Sequence, residues 1–117
     1  MKISEIKDIL KATVITGEEL LDKTVTAGGS ADLMDDVLSA IAKNGVILTG
    51  LTTEHVIRTA QISGVAAIVF VRGKKPDEQI VNLAKSYNLP LLQTRYSLFV
   101  ASGRLYMNGL RGLDGSW

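Results

Sequence analysis

The chain contains no cysteine and only one histidine, His55. The lack of cysteine excludes disulfide bonds, thiolate metal ligands and cysteine nucleophiles. One histidine cannot build a histidine-rich metal site, and no serine and carboxylate accompany it in the roles of a catalytic triad. His55 falls in the first turn of a predicted helix, where we expect it at the surface. The sequence therefore predicts no metal site and no cofactor, and it disfavours an enzyme.

Charge of one sign, aromatic residues and long apolar runs are also scarce. The net charge is +1, from 13 basic and 12 acidic side chains, and the basic residues are spread evenly along the chain. We therefore expect no nucleic-acid partner. The longest apolar run, 65–71, is far shorter than the ~20 residues of a membrane span. The N-terminus reaches charged residues too early for a signal peptide, so we expect a cytoplasmic protein without a membrane partner.

The stretch 66–93 organises the predicted fold. It consists of an apolar segment (66–71), a basic loop (72–75), a helix (76–87) and a second apolar segment (91–93). Segment 66–71 shows no alternation of apolar and polar residues, so we expect both of its faces to be covered, as in an interior strand of a parallel sheet. Pro76 suits the first position of the helix, and Pro90 prevents the helix from continuing.

Shorter segments complete the chain. Helices are predicted after the caps Ser4, Ser30 (with Asp32 in the first turn) and Thr52 or Thr53, and from Ser97 to Ala101, and strands at 12–15, 24–27 and 46–48. Residues 103–117 contain four glycines and little periodicity, which predicts an irregular C-terminal segment. Strands that alternate with helices over short connections indicate a parallel sheet with right-handed crossovers. The sequence thus predicts a single α/β domain over 1–117, with three layers (α/β/α) and a mostly parallel sheet of about five strands.

Three loops are candidates for a ligand site. Ligands of open α/β sheets bind beyond the carboxyl ends of the strands, where loops 49–53, 72–75 and 94–96 are expected to meet. These loops combine threonine hydroxyls, helix N-terminal amides and cationic side chains, which suit a phosphate or a carboxylate. The candidate ligand-binding residues are Thr49, Gly50, Thr52, Thr53, Arg72, Gly73, Lys74, Thr94, Arg95 and Tyr96.

Several of these residues have a purely structural alternative. Thr52 and Thr53 can act as helix caps alone, and Lys74 can lie in a solvated loop. Gly50 and Gly73 can serve turn geometry. Neither loop matches a Walker phosphate loop, and the dinucleotide-binding glycine pattern is missing. The sequence therefore predicts an anionic small molecule as the ligand, but it contains no motif that specifies which one.

Three segments resemble the DRTGG domain, and in particular its short free-standing prokaryotic members. They are 48–60, 66–73 and 91–97, and the resemblance extends over nearly the whole chain, to about Leu110. At the position of the family's Thr-Gly-Gly the chain has Val71, Arg72 and Gly73. Thr94 and Tyr96 fit the threonine–tyrosine loop that follows the last strand in the family.

The resemblance implies a fold similar to the N-terminal domain of HPr kinase and no intrinsic catalysis. Such domains accompany CBS pairs, phosphotransacetylase or pyrophosphatase modules, where they support regulation and dimer contact. Free-standing members often occur near iron hydrogenase or serine-kinase-like proteins, which implies a protein partner of that kind.

Two hypotheses about function follow. The first is a non-catalytic regulatory or assembly module that acts as a homodimer, the commonest oligomer. Its candidate contact residues are Phe99, Leu105, Met107 and Leu110. The alternative is a sensor domain that binds a nucleotide or another phosphorylated small molecule at the three loops.

Overall fold

A computed structural model describes residues 1–32 and 43–113 of the chain. Most of the helix predicted after Ser30 lies outside the described residues. Ser30 itself does not cap a helix, because it is the last residue of a strand. Among the described residues, no helix is long and apolar enough to cross a membrane.

A five-stranded sheet forms the middle of the molecule. Its strands are β1 (Thr13–Thr16), β2 (Gly28–Ser30), β3 (Val46–Thr49), β4 (Ala67–Phe70) and β5 (Leu91–Gln93). They are arranged in the order β1-β5-β4-β3-β2. Strands β2 to β5 are parallel to their neighbours, and only β1 runs antiparallel, beside β5. The prediction of a mostly parallel sheet is confirmed.

Helices cover both faces of this sheet. They are α1 (Ile3–Ile9), α2 (Glu54–Ser63), α3 (Glu78–Ser86) and α4 (Leu98–Met107), with a short 3-10 turn at Glu18–Leu20. Buried residues of α1 and α4 form one apolar cluster with one face of the sheet. Buried residues of α2 and α3 form a second cluster with the other face. The chain therefore has the three-layer α/β/α architecture that the sequence predicted.

The surroundings of strand β4 explain why apolar and polar residues do not alternate in its sequence. Ala67 and Val69 belong to the cluster on the α1–α4 side, and Ile68 and Phe70 belong to the cluster on the α2–α3 side. All four residues are fully buried. Because helices cover both faces of a central parallel strand, apolar residues are needed at every position.

The prediction of a strand at 24–27 is wrong, since β2 begins only at Gly28, directly after that segment. Thr24 makes only an isolated bridge to Lys2. In β2, a Cβ on Gly28 would lie 2.8 Å from Leu110 Cδ2, and a Cβ on Gly29 would lie 2.7 Å from Leu113 Cδ1. The two glycines therefore make room for the C-terminal residues against this edge strand, which strand propensity cannot reveal.

Two predicted helix starts are also wrong. α3 begins at Glu78 rather than Pro76, because Asp77 is the N-cap and its carboxylate accepts a hydrogen bond from the Ile80 amide at 3.1 Å. α1 begins one residue before the predicted cap Ser4, and Lys2 occupies the N-cap position. At α1, the Lys2 amide donates to the Glu5 carboxylate at 3.0 Å, which favours a start before Ser4.

The last helix is twice as long as predicted. Ser97, where the helix was predicted to begin, is its N-cap, and its hydroxyl accepts a hydrogen bond from the Val100 amide. The helix continues past Ala101 to Met107, so residues 103–107 are not irregular. Ala101 and Leu105 lie four residues apart and are both buried against the sheet, and this burial outweighs the cost of Gly103 in the helix.

Candidate functional site

The three predicted loops lie side by side at one edge of the sheet. They meet there because β3, β4 and β5 are parallel neighbours and all end at this edge. The Val71 amide donates to the Thr49 carbonyl at 3.0 Å. The Arg72 and Gly73 amides donate to the carbonyls of Tyr96 and Thr94, both at 2.9 Å. Backbone hydrogen bonds thus join each loop to the next.

Two of the candidate threonines point into the protein. Thr49 is fully buried, and its hydroxyl donates to Asp32 Oδ1 at 2.9 Å. Thr94 is 2% exposed, and its hydroxyl donates to the Leu10 carbonyl at 2.8 Å and accepts from the Tyr96 amide at 3.3 Å. Both hydroxyls are engaged in shaping the loops, so the expectation that they face a ligand is corrected.

The other two threonines stand where α2 begins. Thr53 occupies the N-cap position, but its side chain makes no capping hydrogen bond. Thr52 is half-buried and Thr53 is exposed. The prediction that Thr52 or Thr53 caps this helix is therefore confirmed for the position of Thr53, although no threonine hydroxyl makes a capping hydrogen bond. His55, in the first turn of α2, is exposed as predicted.

Asp32 is a part of this edge that the sequence did not predict. It was expected in the first turn of a helix, yet its Oδ1 accepts hydrogen bonds from the Thr49 hydroxyl and the Gly50 amide, both at 2.9 Å. The Gly50 hydrogen bond is the main cause that lowers the pKa of the Asp32 carboxyl. Partial burial opposes this shift, and Thr49 and the charge of Arg72 add to it. A signal was present, because Asp32 follows a strand at the ligand-binding edge.

Two arginines from adjacent loops line an open cleft of about 440 Å³. The cleft is bordered by Arg72, Gly73, Gln93 and Arg95. The Gln93 side-chain amide donates to the carbonyls of Gly73 at 2.9 Å and Lys74 at 3.2 Å, which holds the loop in place. Lys74 is exposed beside the cleft but does not line it.

The remaining candidates, Gly50 and Tyr96, do not border the cleft, and each lies against an arginine side chain. A side chain on Gly50 would collide with the Arg72 guanidinium, so the glycine leaves space for Arg72 to cross toward Asp32. Tyr96 is half-buried, and the Arg104 guanidinium lies 4.4 Å from the centre of its ring. The fold therefore brings Arg72, Gly73 and Arg95 together and gives Gly50 and Tyr96 packing roles.

The outward side of α4 is a second candidate surface. Phe99 is 87% exposed and Met107 is 85% exposed, and Gly103 lies halfway between them on the helix. These residues border a groove of about 420 Å³ together with Val100, Arg104 and Asn108. Of the four residues predicted to make a dimer contact, Leu105 and Leu110 are buried in the core, so only Phe99 and Met107 are accessible.

The DRTGG domain model matches residues 5–107, which is most of the chain. The chain belongs to the DRTGG domain family. A solved structure with a similar fold comprises the CBS and DRTGG domains of the regulatory region of Clostridium perfringens pyrophosphatase, complexed with the activator diadenosine tetraphosphate. The TM-score is 0.73 at 20% sequence identity, and the match covers 89% of this chain and 45% of that one. This DRTGG domain thus spans just under half the length of that structure. No curated protein matches this chain.

The cleft bordered by Arg72 and Arg95, hereafter the arginine cleft, includes two residues with left-handed backbone angles. Arg72 has a φ of 55°. Gly73 follows with a φ of 68°. Glycine adopts such angles freely, whereas other residues do so at a cost of roughly 1–2 kcal/mol. This chain therefore holds an arginine in a backbone conformation that favours glycine.

Proposed function

We propose that this DRTGG domain is a non-catalytic regulatory module that works as a homodimer through the outward side of α4. The observation that carries the proposal is the apolar surface of that helix. Burying a large apolar side chain contributes about 1.5–3 kcal/mol, and Phe99 and Met107 are both left in solvent. The regulatory region in which the pyrophosphatase carries its DRTGG domain supports the regulatory part of the proposal.

The spacing on α4 suits pairing with an identical surface. Phe99 and Met107 lie four residues before and four residues after Gly103, so all three fall on one side of the helix. A Cβ at Gly103 would have nothing within 4 Å, which leaves a hollow between the two large side chains. A two-fold axis near Gly103 would let a large side chain of one copy fill the hollow of the other, as an isologous interface requires.

Sedimentation equilibrium up to high micromolar concentration tests this proposal. We expect the wild type to dimerise, and we expect Phe99→Ser and Met107→Ser to shift the protein to monomer without changing the circular dichroism spectrum. Ile62→Ser is the matched control, because Ile62 is 77% exposed but belongs to α2, on the opposite face of the sheet. A wild type that stays monomeric, or an Ile62→Ser variant that dissociates equally, contradicts the proposal.

A second candidate function is the binding of an anionic small molecule, such as a nucleotide or another phosphorylated compound, in the cleft of Arg72 and Arg95. The cleft itself favours it, since Arg72 and Arg95, from two different loops, border one open space. Arginine forks match phosphate oxygens in a bidentate geometry. The pyrophosphatase region crystallised with a nucleotide activator adds support from a protein of the same fold. Protein partners of the hydrogenase or serine-kinase type stay a prediction from resemblance.

Thermal melting with a panel of nucleotides and acyl phosphates tests the second candidate. A ligand at a hundredfold its dissociation constant should stabilise the protein by about 2.7 kcal/mol. We expect Arg95→Ala and Arg72→Gly to abolish the shift, with Arg72→Gly also relieving the left-handed strain. Lys85→Ala is the control, because Lys85 is an exposed cation in the last turn of α3, away from the cleft. No shift with any compound, or a shift that survives both arginine variants, contradicts this function.

A further inference from the structure

We infer that the arginine cleft recognises a diphosphate group by its charge and shape alone, and accepts pyrophosphate and the diphosphate portion of nucleotides without regard to the base. This inference rests on the second candidate function and specifies the class of ligand. It is carried by the chemistry of the cleft lining, by the surroundings of Tyr96 and by the charges around Arg72.

The lining offers polar groups only. Arg72, Gly73, Gln93 and Arg95 border the cleft, and among the described residues no aromatic or aliphatic side chain joins them. Nucleotide bases are held mostly by apolar and stacking contacts, which this lining does not supply. Two arginines from two different loops instead supply two separate forks of N–H donors, each able to bind one phosphoryl group.

The aromatic ring of Tyr96 already packs against other parts of the protein. Tyr96 follows Arg95 directly, and its ring would be the obvious platform for a base. The Arg104 guanidinium lies 4.4 Å from the ring centre, so a cation covers one face of the ring. The Tyr96 carbonyl also accepts from the Arg72 amide at 2.9 Å, which fixes the tyrosine backbone as part of the loop. Tyr96 therefore positions the loop rather than stacking on a ligand.

The backbone beneath the two arginines is held in advance of binding. The Gly73 amide donates to the Thr94 carbonyl at 2.9 Å, and the Gln93 amide group holds the Gly73 and Lys74 carbonyls. These bonds hold the backbone of both loops, so binding has to order mainly the two arginine side chains, which limits its entropic cost.

The charges around the cleft favour an anion with more than one negative charge. Lys74 and Lys75 are exposed in the same loop as Arg72 and add positive charge beside the cleft. Among the residues that the structure describes, Asp32 opposes this attraction, because the charge of Arg72 acts on its carboxylate. The Asp32 carboxylate keeps its negative charge while it accepts two hydrogen bonds, so an anion in the cleft has to compete with Asp32 for Arg72.

Isothermal titration calorimetry in metal-free buffer at fixed salt tests the inference, with pyrophosphate, inorganic phosphate, ADP, GDP, UDP and adenosine as probes. We expect pyrophosphate and the three nucleoside diphosphates to bind within about threefold of one another. Inorganic phosphate should bind at least about tenfold more weakly, because it engages one fork, and adenosine should not bind. Asp32→Asn should tighten pyrophosphate binding, Arg72→Gly and Arg95→Ala should weaken it by about tenfold or more, and Lys85→Ala should not change it.

The other outcomes separate this inference from the proposed function. If ADP binds at least about tenfold more tightly than pyrophosphate and UDP, nucleotide binding stands and the base-independent diphosphate class is overturned. If phosphate binds as tightly as pyrophosphate, the two-fork arrangement is overturned. If none of the probes binds, both the inference and the second candidate function fail, while dimerisation through α4 is unaffected.

Discussion

Arg72 shows how one residue can carry both strain and charge. Its φ of 55° is left-handed, and the next residue, Gly73, has a φ of 68°. A glycine at position 72 would avoid a cost of roughly 1–2 kcal/mol, yet the chain keeps an arginine that borders the cleft. Strain of this kind tends to persist where the side chain has a role. We therefore regard Arg72 as the residue most informative about ligand binding.

Asp32 is the residue for which a pH dependence is expected. Hydrogen bonds from Gly50 and Thr49 lower the pKa of its carboxyl from the ordinary 3.8, so the ionised form is bound more strongly in the folded state. Its contribution to the free energy of unfolding is therefore complete above about pH 3.8 and is lost as the pH falls through the lower folded pKa. Asp32→Asn should destabilise the protein at pH 7 by at most about 1 kcal/mol, since the group is exposed and screened.

Urea denaturation of the wild type and Asp32→Asn at pH 7, 5 and 3 measures this effect. The difference in free energy of unfolding should be equal at pH 7 and pH 5 and smaller at pH 3. Asp22→Asn is the control, because Asp22 is also exposed and accepts no hydrogen bond in the described part of the chain. A difference that is constant down to pH 3 would contradict the role of the carboxylate.

At the scale of an element, α4 divides its residues between two tasks. Ala101 and Leu105 are buried in the core on the α1 side of the sheet, whereas Phe99 and Met107 are in solvent. The same helix thus anchors itself through one side and leaves an apolar surface on the other. Exposed apolar clusters of this kind often mark interaction sites.

Gly103→Ala separates the stability of α4 from self-association. A methyl group at position 103 would have nothing within 4 Å, so it should add helix propensity and raise the free energy of unfolding by about 1 kcal/mol. In the proposed homodimer the same methyl group fills the hollow between Phe99 and Met107, so it should weaken dimerisation. Melting at low protein concentration and sedimentation equilibrium measure the two effects. A variant that dimerises as well as the wild type would show that the hollow is not part of the interface.

At the scale of the whole molecule, Thr94 connects the two ends of the chain. Its hydroxyl, after β5, donates to the carbonyl of Leu10, just past α1, across 84 positions of sequence. Thr94→Val would leave the Leu10 carbonyl and the Tyr96 amide without these partners in a buried place. We expect a loss of about 1–3 kcal/mol in the free energy of unfolding.

Chemical denaturation of Thr94→Val and of the control Thr13→Val measures this contribution. Thr13 is exposed on β1, so its replacement should change the stability by no more than about 0.5 kcal/mol. Any binding of pyrophosphate should be unchanged in Thr94→Val, because the hydroxyl faces the interior. Loss of ligand binding with unchanged stability would restore Thr94 as a ligand-binding residue.

Local sequence patterns predicted the elements that form because of neighbouring residues or because of the regular spacing of apolar residues. The unbroken apolar segment at 66–71 indicated a strand covered on both faces, and Ser97 indicated the start of the last helix. Some errors occurred at helix starts, where a neighbouring residue such as Asp77 is the cap, and others occurred where distant residues decide. β2 uses Gly28 and Gly29 because Leu110 and Leu113 pack against them, and this contact is invisible in the local sequence.

The candidate site divides in the same way. Loop order along the chain predicted that Thr49, Arg72 and Arg95 would gather at one edge, because parallel strands end together. Which side chains point outward could not be predicted. The hydroxyls of Thr49 and Thr94 could each face a ligand or bond within the protein, and only their hydrogen-bond partners decide between the two. Asp32 was assigned to a helix because its bonds to Thr49 and Gly50 cross between strands.

The sequence by itself determined the layered α/β/α fold, since apolar period and turn residues are properties of neighbouring positions. It also determined the absence of cysteine chemistry. Only the tertiary structure decided which candidate residues remain free to act. Burial removed two threonines and two leucines from the candidate surfaces, and it left Arg72 and Arg95 around one cleft and Phe99 and Met107 on one side of a helix. The physical reason is that burial and hydrogen bonding depend on residues far apart in the chain, which are brought together only by folding.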